Sequence, residues 1–286
     1  MAEWDADLSV DPEAVRRAAG SPERWRLLGS GWDCDAWLAD EAVVWRVPRR
    51  AVAENSLRLE AALLPVVAPR LPEEVCVPVP TLLEVEGLPL LARHELAPGI
   101  ELAGAPRVGD GVGAALGRFL RALHAPEVLA AAEGIAPVDP LGRADAARRF
   151  AVAHRRLDDV ASRLDVTKHR AIVDAAADLA PPLDVLCHGD LHIRHLLLGD
   201  DGELRSVIDW GDACRGTRAL DLLVVTALAT PQREAFAREY GPVEEPAWRF
   251  ARMLGVTIGA ALLAADPDGV SGEGGRRWLE RLAVDD

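Results

Sequence analysis

Only one lysine, Lys168, occurs in the 286 residues, so nearly every positive charge is an arginine. A site that needs a cation must use guanidinium, which binds oxyanions as a planar fork rather than as a point charge. Cysteine is scarce too. Cys34, Cys76, Cys187 and Cys214 are widely spaced and form no CxxC, which excludes a disulfide framework and a zinc knuckle and fits reduced thiols in the cytoplasm. The N-terminal stretch MAEWDADLSVDPE is acidic and lacks an apolar signal region. The longest apolar stretch, Met253 to Ala265, falls short of the ~20 residues that cross a bilayer and reads as a buried helix. No internal repeat and no low-complexity tract is present. Basic residues are outnumbered, 32 against 46 acidic, giving a net charge of −14. That balance disfavours nucleic acid and anionic membranes as partners and fits a cationic or neutral small molecule, although most of it reads as solvated surface. Half the residues are apolar and 27% charged, a globular composition long enough for one large domain or two lobes. A monomer or weak dimer is expected.

The chain changes character along its length. Asp11-Pro12 opens a short helix, DPEAVRRAAG, with a capping acid, an early proline and a closing glycine. Strand-like runs start at Trp25, Ala36 and Ala42, and Pro48 ends the third. A helix at about residues 51 to 66 follows, then the runs TLLEV and LPLLARHEL, joined at Glu86-Gly87. Ala97-Pro98-Gly99 breaks the pattern and reads as a hinge. Downstream, Val112, Ala115, Leu116, Phe119, Leu120 and Leu123 fall at helical spacing, as do Phe150, Leu157, Val160, Ala161 and Leu164, and then Ile172, Ala176 and Leu179. More helices are expected at about 218 to 229, 232 to 240, 246 to 264 and 274 to 282.

Residues 187 to 212, CHGDLHIRHLLLGDDGELRSVIDWGD, carry the chemistry. Apolar runs LDVLC, LLL and SVI alternate with loops, and Asp200-Asp201-Gly202 is a hairpin signal between the last two. A hairpin of that length brings its strand ends together, so Asp190, His195 and Asp209 are able to converge. Two metal-capable groups beside a lone carboxylate suit phosphoryl transfer, in which Mg²⁺ neutralises the phosphates and the carboxylate orients an attacking hydroxyl. Three of the seven histidines lie between 188 and 195. A transition-metal site from His188, Asp190, His192 and His195 is an alternative, but the spacing fits neither HExxH nor a Cys/His knuckle.

His188-Gly189-Asp190-Leu191-His192, then His195, then Ile208-Asp209-Trp210, resembles the signature of the aminoglycoside phosphotransferase and choline kinase family, which shares the protein-kinase fold. The resemblance implies an α+β, bilobal protein-kinase-like fold. Residues 1–96 would form a small antiparallel β lobe that binds nucleotide. Residues 97–286 would form a helical catalytic and acceptor-binding lobe, with ligand in the cleft between them. It implies Asp190 as the catalytic aspartate and Asp209 as a metal ligand for Mg²⁺. His195 stands where most members carry Asn, as in macrolide kinases, and would be the second metal ligand; the plainer reading is a loop-shaping residue. Gly29, Ser30 and Gly31 resemble the nucleotide-positioning loop, whose glycines let backbone approach phosphate; an ordinary hairpin turn is the plainer reading. Arg46 in VVWRVP would take the role of the kinase lysine, unless it is a surface arginine on an edge strand. Glu60 in LRLEAALLP is favoured over Glu54 as its partner. The backbone at Glu95 to Ala97 would read the base, and the helices after Leu220 would shape the acceptor pocket. Asp221 would pin the catalytic loop, and His124 would be structural. Asp212 either faces the acceptor or is a solvated loop acid.

The implied activity moves the γ-phosphoryl group of ATP or GTP to a hydroxyl of a small molecule, an aminoglycoside or macrolide antibiotic by resemblance. Two alternatives stay open. One is a kinase of an ordinary metabolite such as choline, an amino alcohol or a sugar. The other is a nucleotide-binding pseudokinase that acts by interaction, suggested by the missing Lys and Asn.

Overall fold

A computed structural model describes residues 6–284 of the chain. They fall into two compact units, one holding the chain up to Ala68 together with Val77–Ala97, the other Pro69–Cys76 and everything from Pro98 onward.

The first unit is an antiparallel sheet with a helix on each face. Helix α1, Pro12–Ala18, starts where its cap predicts, with the Asp11 side chain accepting from Glu13 N at 3.0 Å. Strands β1 (Trp25–Ser30), β2 (Cys34–Ala39) and β3 (Val43–Pro48) form a meander. Helix α2, Ala53–Val67, precedes β4 (Thr81–Leu83) and β5 (Leu91–Glu95). The sheet order is β1-β2-β3-β5-β4. Pleating then sorts the side chains. Trp45, Val47 and Leu91 pack with Val15 of α1 and Ala39. Ala92 and Cys34 pack with Ala53 and Leu57 of α2. Arg46 pairs with Ala92 across the β3–β5 ladder, so it lies on the α2 face of a central strand, not on an edge. Gly29 and Ser30, expected in a loop, belong to β1. A register irregularity between Leu27 and Gly29 extends the pairing, and the connection shrinks to residues 31 to 33.

The second unit is mostly helical. After β6 (Ile100–Glu101) and a 3-10 turn, Leu102–Gly104, come α3 (Val112–Leu123), α4 (Pro126–Ala131), α5 (Ala146–Val160) and α6 (Thr167–Asp174). Four short strands follow: β7 (Val185–Cys187), β8 (Leu196–Leu198), β9 (Leu204–Val207) and β10 (Cys214–Gly216). The helix expected at 218 to 229 is instead α7 (Ala219–Leu222) and a 3-10 turn, Leu223–Ala227. The Thr226 hydroxyl donates to Leu223 O at 2.7 Å and Val224, Val225 and Thr226 are β-branched, both of which favour the tighter turn over a continued α-helix. The chain ends with α8 (Thr230–Tyr240), α9 (Glu245–Ala265) and α10 (Val270–Val284).

By length and composition α9, with 21 residues, passes as a membrane-crossing helix, and 61% of its apolar window is buried inside the fold. It packs against α5, α6, α7 and α10. Trp210, Trp278, Phe119, Phe236 and Phe250 are fully buried in this unit. Each large apolar side chain taken out of water contributes about 1.5–3 kcal/mol. On α10, Arg277 and Arg281 donate to the carbonyls of Ala103 and Ala227, which lie in the two 3-10 turns.

Candidate active site

Two antiparallel ladders bring the conspicuous residues together. The β8–β9 hairpin closes through Gly202 N donating to Gly199 O at 2.8 Å, with Gly202 at φ 82°. The β7–β10 ladder aligns Cys187 with Cys214. The segments 188–195 and 208–213 each run from one ladder to the other, so they lie side by side. Gly189 shows how closely: at φ 85°, a Cβ there would sit 2.3 Å from Asp212 O.

The first loop is pinned from below. Asp221, fully buried, accepts from His188 N at 2.9 Å and from Gly189 N at 3.0 Å. Its Oδ2 also lies 3.0 Å from His124 Nε2, and His124 Nδ1 lies 2.7 Å from the Tyr240 hydroxyl. His188 Nδ1 accepts from Asp190 N at 3.3 Å, so its Nε2–H donates to Ile208 O at 2.9 Å and ties the two loops. Burial lowers the basicity of His188, in keeping with this neutral form. His188 and His124 are therefore framework.

His195 has a defined tautomer. Nδ1–H donates to the Asp190 carbonyl at 2.7 Å, so in the neutral ring the lone pair is on Nε2, which lies 3.4 Å from Asp209 Oδ2. A neutral imidazole nitrogen and a carboxylate oxygen at that separation fit two donors to one divalent cation, for which the oxygen is the harder ligand. Asp209 is a non-glycine residue at φ 66°, a left-handed conformation that aspartate tolerates better than most side chains. His192 behaves differently. Its Nδ1 accepts from Arg194 N at 3.2 Å, so Nε2 keeps the proton and faces Asp190 Oδ2 at 3.7 Å. Burial, reinforced by His195, lowers its pKa to about 3. Asp190, His192 and His195 have donor atoms within 4.8 Å of one another. With the His192 lone pair spent on backbone, the transition-metal alternative loses a ligand.

Asp190 itself is held ionised. Burial acts to raise its pKa, but the Arg143 guanidinium, with His192 and His195, outweighs that and holds the carboxyl well below the usual range. Arg143 escaped the sequence reading, because LGRAD carries no signal beyond a loop. Its Nη1 donates to Gly189 O and lies 3.4 Å from Asp190 Oδ1, while Nη2 donates to Asp212 Oδ2 at 2.6 Å. Asp212 is thus an ion-pair partner of Arg143 rather than a solvated acid. Burial raises its pKa and Arg143 opposes the shift. Cys187 and Cys214 flank the loops as buried thiols, the latter pushed up to about 12 by burial, so neither is a nucleophile.

In the first unit, Arg46 Nη1 donates to Glu60 Oε1 at 2.5 Å and to Oε2 at 2.7 Å. Glu54 accepts instead from Leu90 N at 3.1 Å, so the strand cation has Glu60 as its partner. Helix α2 places Glu60 one to two turns beyond Glu54, on the face that meets β3. Gly29 and Ser30 end β1, and Gly31 N donates to Cys34 O at 2.9 Å in the tight connection. The Ser30 hydroxyl donates to Asp35. Glu95 closes β5, its carbonyl accepting from His94 Nδ1 at 2.8 Å, and Ala97 is buried.

Back in the second unit, a cavity of about 440 Å³ opens beside Ile193, with Arg107, Arg277 and Arg281 on its wall and no acidic side chain in its lining.

Residues 24–254 match the model of the phosphotransferase enzyme family known as APH. No curated protein matches the chain. Among solved structures, a GDP complex of wild-type aminoglycoside 2'-phosphotransferase-IIIa is 19% identical, covers 96% of this chain and 97% of its own, and superposes with a TM-score of 0.67. Macrolide 2'-phosphotransferase MphH from Brachybacterium faecium is 22% identical, with coverage of 94% and 97% and a TM-score of 0.60. A gentamicin complex of APH(2'')-IIa is 17% identical, with coverage of 98% and 97% and a TM-score of 0.61. At these identities the likeness to the three structures is one of fold.

Proposed function

Since the chain belongs to the phosphotransferase enzyme family, we propose that it transfers the γ-phosphoryl group of ATP or GTP to a hydroxyl of a small-molecule acceptor of the aminoglycoside or macrolide class. The observation that carries the reading is the Asp190–His195–Asp209 arrangement: an ionised carboxylate beside a nitrogen lone pair and a second carboxylate 3.4 Å apart. Solved relatives bind GDP, ADP and ATP with streptomycin, which keeps both donors open.

In this reading Asp190 accepts a hydrogen bond from the acceptor hydroxyl and orients its oxygen toward the γ-phosphorus. A carboxylate held so far toward the ionised form is a weak base. It suits a loose transition state, in which the hydroxyl proton leaves late and the bond to the leaving diphosphate is nearly broken first. His195 Nε2 and Asp209 would hold Mg²⁺, which when bound neutralises phosphate charge. Arg46, fixed by Glu60, would bind phosphate oxygens through its fork, and backbone at Gly29 to Gly31 would lie against the phosphates. The backbone at Glu95 and Ala97 would read the base. The protein would act in the cytoplasm, where four free thiols persist.

The arginine-walled cavity favours a second acceptor class. If it takes the acceptor, it suits a neutral or anionic metabolite better than a polycationic aminoglycoside. One experiment covers both readings: purified protein, Mg²⁺ and ATP or GTP are incubated with panels of aminoglycosides, macrolides and hydroxyl-bearing metabolites, and products are read by mass spectrometry. A mass increase of one phosphoryl group, abolished in Asp190→Ala and Asp209→Ala, is expected. A folded protein that neither phosphorylates any acceptor nor hydrolyses nucleotide is a pseudokinase, and the proposal fails.

A further inference from the structure

Arg143 sits on a loop built to hold it. Asp139 N donates to Arg215 O at 3.0 Å and Arg215 N donates to Pro137 O at 2.8 Å, which stitches the loop to β10. The Asp139 carboxylate accepts from Arg143 N at 2.7 Å and Ala144 N at 2.9 Å and so fixes the backbone under the arginine. Because β10 pairs with β7, the strand that leads into His188, Gly189 and Asp190, the loop and the catalytic segment share one frame. The side chain is only 21% exposed. Its guanidinium reaches three oxygens: Gly189 O, Asp190 Oδ1 and Asp212 Oδ2.

A structural arginine could satisfy itself on the carbonyl and on Asp212 alone. This one also lies against one oxygen of the carboxylate that must orient the acceptor. With Oδ1 facing Arg143, the other oxygen, Oδ2, lies toward His192 Nε2 at 3.7 Å and His195 Nδ1 at 4.0 Å. The carboxylate is thereby oriented with Oδ1 toward the guanidinium and Oδ2 toward the two imidazoles. An attacking hydroxyl must sit in line with the bond to the leaving group, and displacement by about 1 Å costs on the order of 100-fold in rate.

We infer that Arg143 is a positioning residue for phosphoryl transfer: it acts through Asp190, by holding Oδ1 so that Oδ2 receives the acceptor hydroxyl, and Asp212 acts through Arg143. The inference rests on the phosphotransferase reading. Bond by bond, the acceptor oxygen bonds to the γ-phosphorus, the bond from that phosphorus to the diphosphate oxygen breaks, and the hydroxyl proton passes to Asp190 Oδ2 and on to solvent. Arg143 neither gains nor loses a proton.

The test uses the full chain with Mg²⁺, GTP or ATP, and water as the acceptor, so no substrate need be known. Arg143→Ala should lower kcat for nucleotide hydrolysis about 100-fold with the nucleotide KM unchanged. Arg143→Lys should restore part of the loss, and guanidinium ion at tens of millimolar, about 10–50 mM, should raise the rate of Arg143→Ala several-fold while leaving the wild type alone. Asp212→Asn should cost about tenfold, the worth of one charge-assisted hydrogen bond, and Arg143→Ala/Asp212→Asn should be no slower than Arg143→Ala. Wild-type turnover in Arg143→Ala, a loss confined to nucleotide KM, or losses that multiply in the double variant would overturn the inference. If Arg143→Ala does not fold, the Lys and Asn variants decide: wild-type rates in both sink the proposal. A wild-type chain that turns over no nucleotide, either with water or with any acceptor of the panels, defeats the functional reading, and this inference with it.

Discussion

Replacing Asp221 by alanine removes one carboxylate and orphans three buried donors. His188 N and Gly189 N donate to it at 2.9 and 3.0 Å, and His124 Nε2 lies 3.0 Å away. The aspartate and His188 are fully buried and His124 is 9% exposed, so water does not replace the lost acceptor without opening the fold. Each buried unsatisfied N–H costs about 1–3 kcal/mol, so the two backbone groups alone set a loss of about 2–6 kcal/mol. Removing one partner from a buried charged network typically costs about 3–5 kcal/mol, and about 4 kcal/mol is the expected value. Against a total stability of about 5–15 kcal/mol that is a large share, and it falls on the loop that carries Asp190. Native-state hydrogen exchange read by mass spectrometry on peptides spanning 187 to 191 is the direct assay. If these amides exchange through local opening, about 4 kcal/mol corresponds to roughly 1,000-fold faster exchange. Asp221→Asn keeps one acceptor oxygen but turns an N–H toward another donor, so it should recover only part of the protection. Exchange that changes less than tenfold in Asp221→Ala would falsify the claim that this carboxylate holds the loop that carries Asp190.

Three further outcomes are expected. Arg46→Ala leaves Glu60, whose side chain is 4% exposed, without its nearest cation; the first unit should lose about 3–5 kcal/mol in urea unfolding, and an apolar pair at both positions should regain much of it. Stability of the metal-free protein should fall from pH 7 to pH 5. His192, with a pKa of about 3, stays neutral in the fold, while an unfolded histidine at about 6.5 takes up a proton. The unfolded state thus binds more protons in that window, and the loss from this residue is about 2 kcal/mol. His192→Gln should flatten the slope by that amount, and an unchanged slope refutes the assignment. Gly189→Ala places a Cβ 2.3 Å from Asp212 O at φ 85°, so it should abolish nucleotide turnover in a chain that still shows its native circular dichroism; retained activity would show that the two loops separate freely.

Local rules made much of the chain legible. The capping Asp11 and Pro12, the period-two runs around Trp45, and the helical spacing of Val112 to Leu123 are determined by neighbours in sequence, and the elements they imply appear within a few residues of their expected ends. The β8–β9 hairpin was equally readable, since turn chemistry is local. The departures occur where packing overrides local preference. Gly29 and Ser30 join β1 because a neighbouring strand pairs with them, and the segment after Leu222 tightens into a 3-10 turn in a buried setting.

The sequence by itself determined which groups were available: one Asp in HGD, one after SVI, a histidine between them, and arginine as nearly the sole cation. It could also nominate Glu60 over Glu54, through the resemblance of LRLEAALLP to the family's pattern. Tertiary structure decided how the groups are paired and charged. Asp221 lies 33 positions after His188 and Arg143 lies 69 positions before Asp212, and no periodicity links residues so far apart. Only the folded chain brings them within hydrogen-bonding distance, excludes the water that would screen them, and so sets which oxygen of Asp190 is held and which lone pair of His195 is left for a ligand.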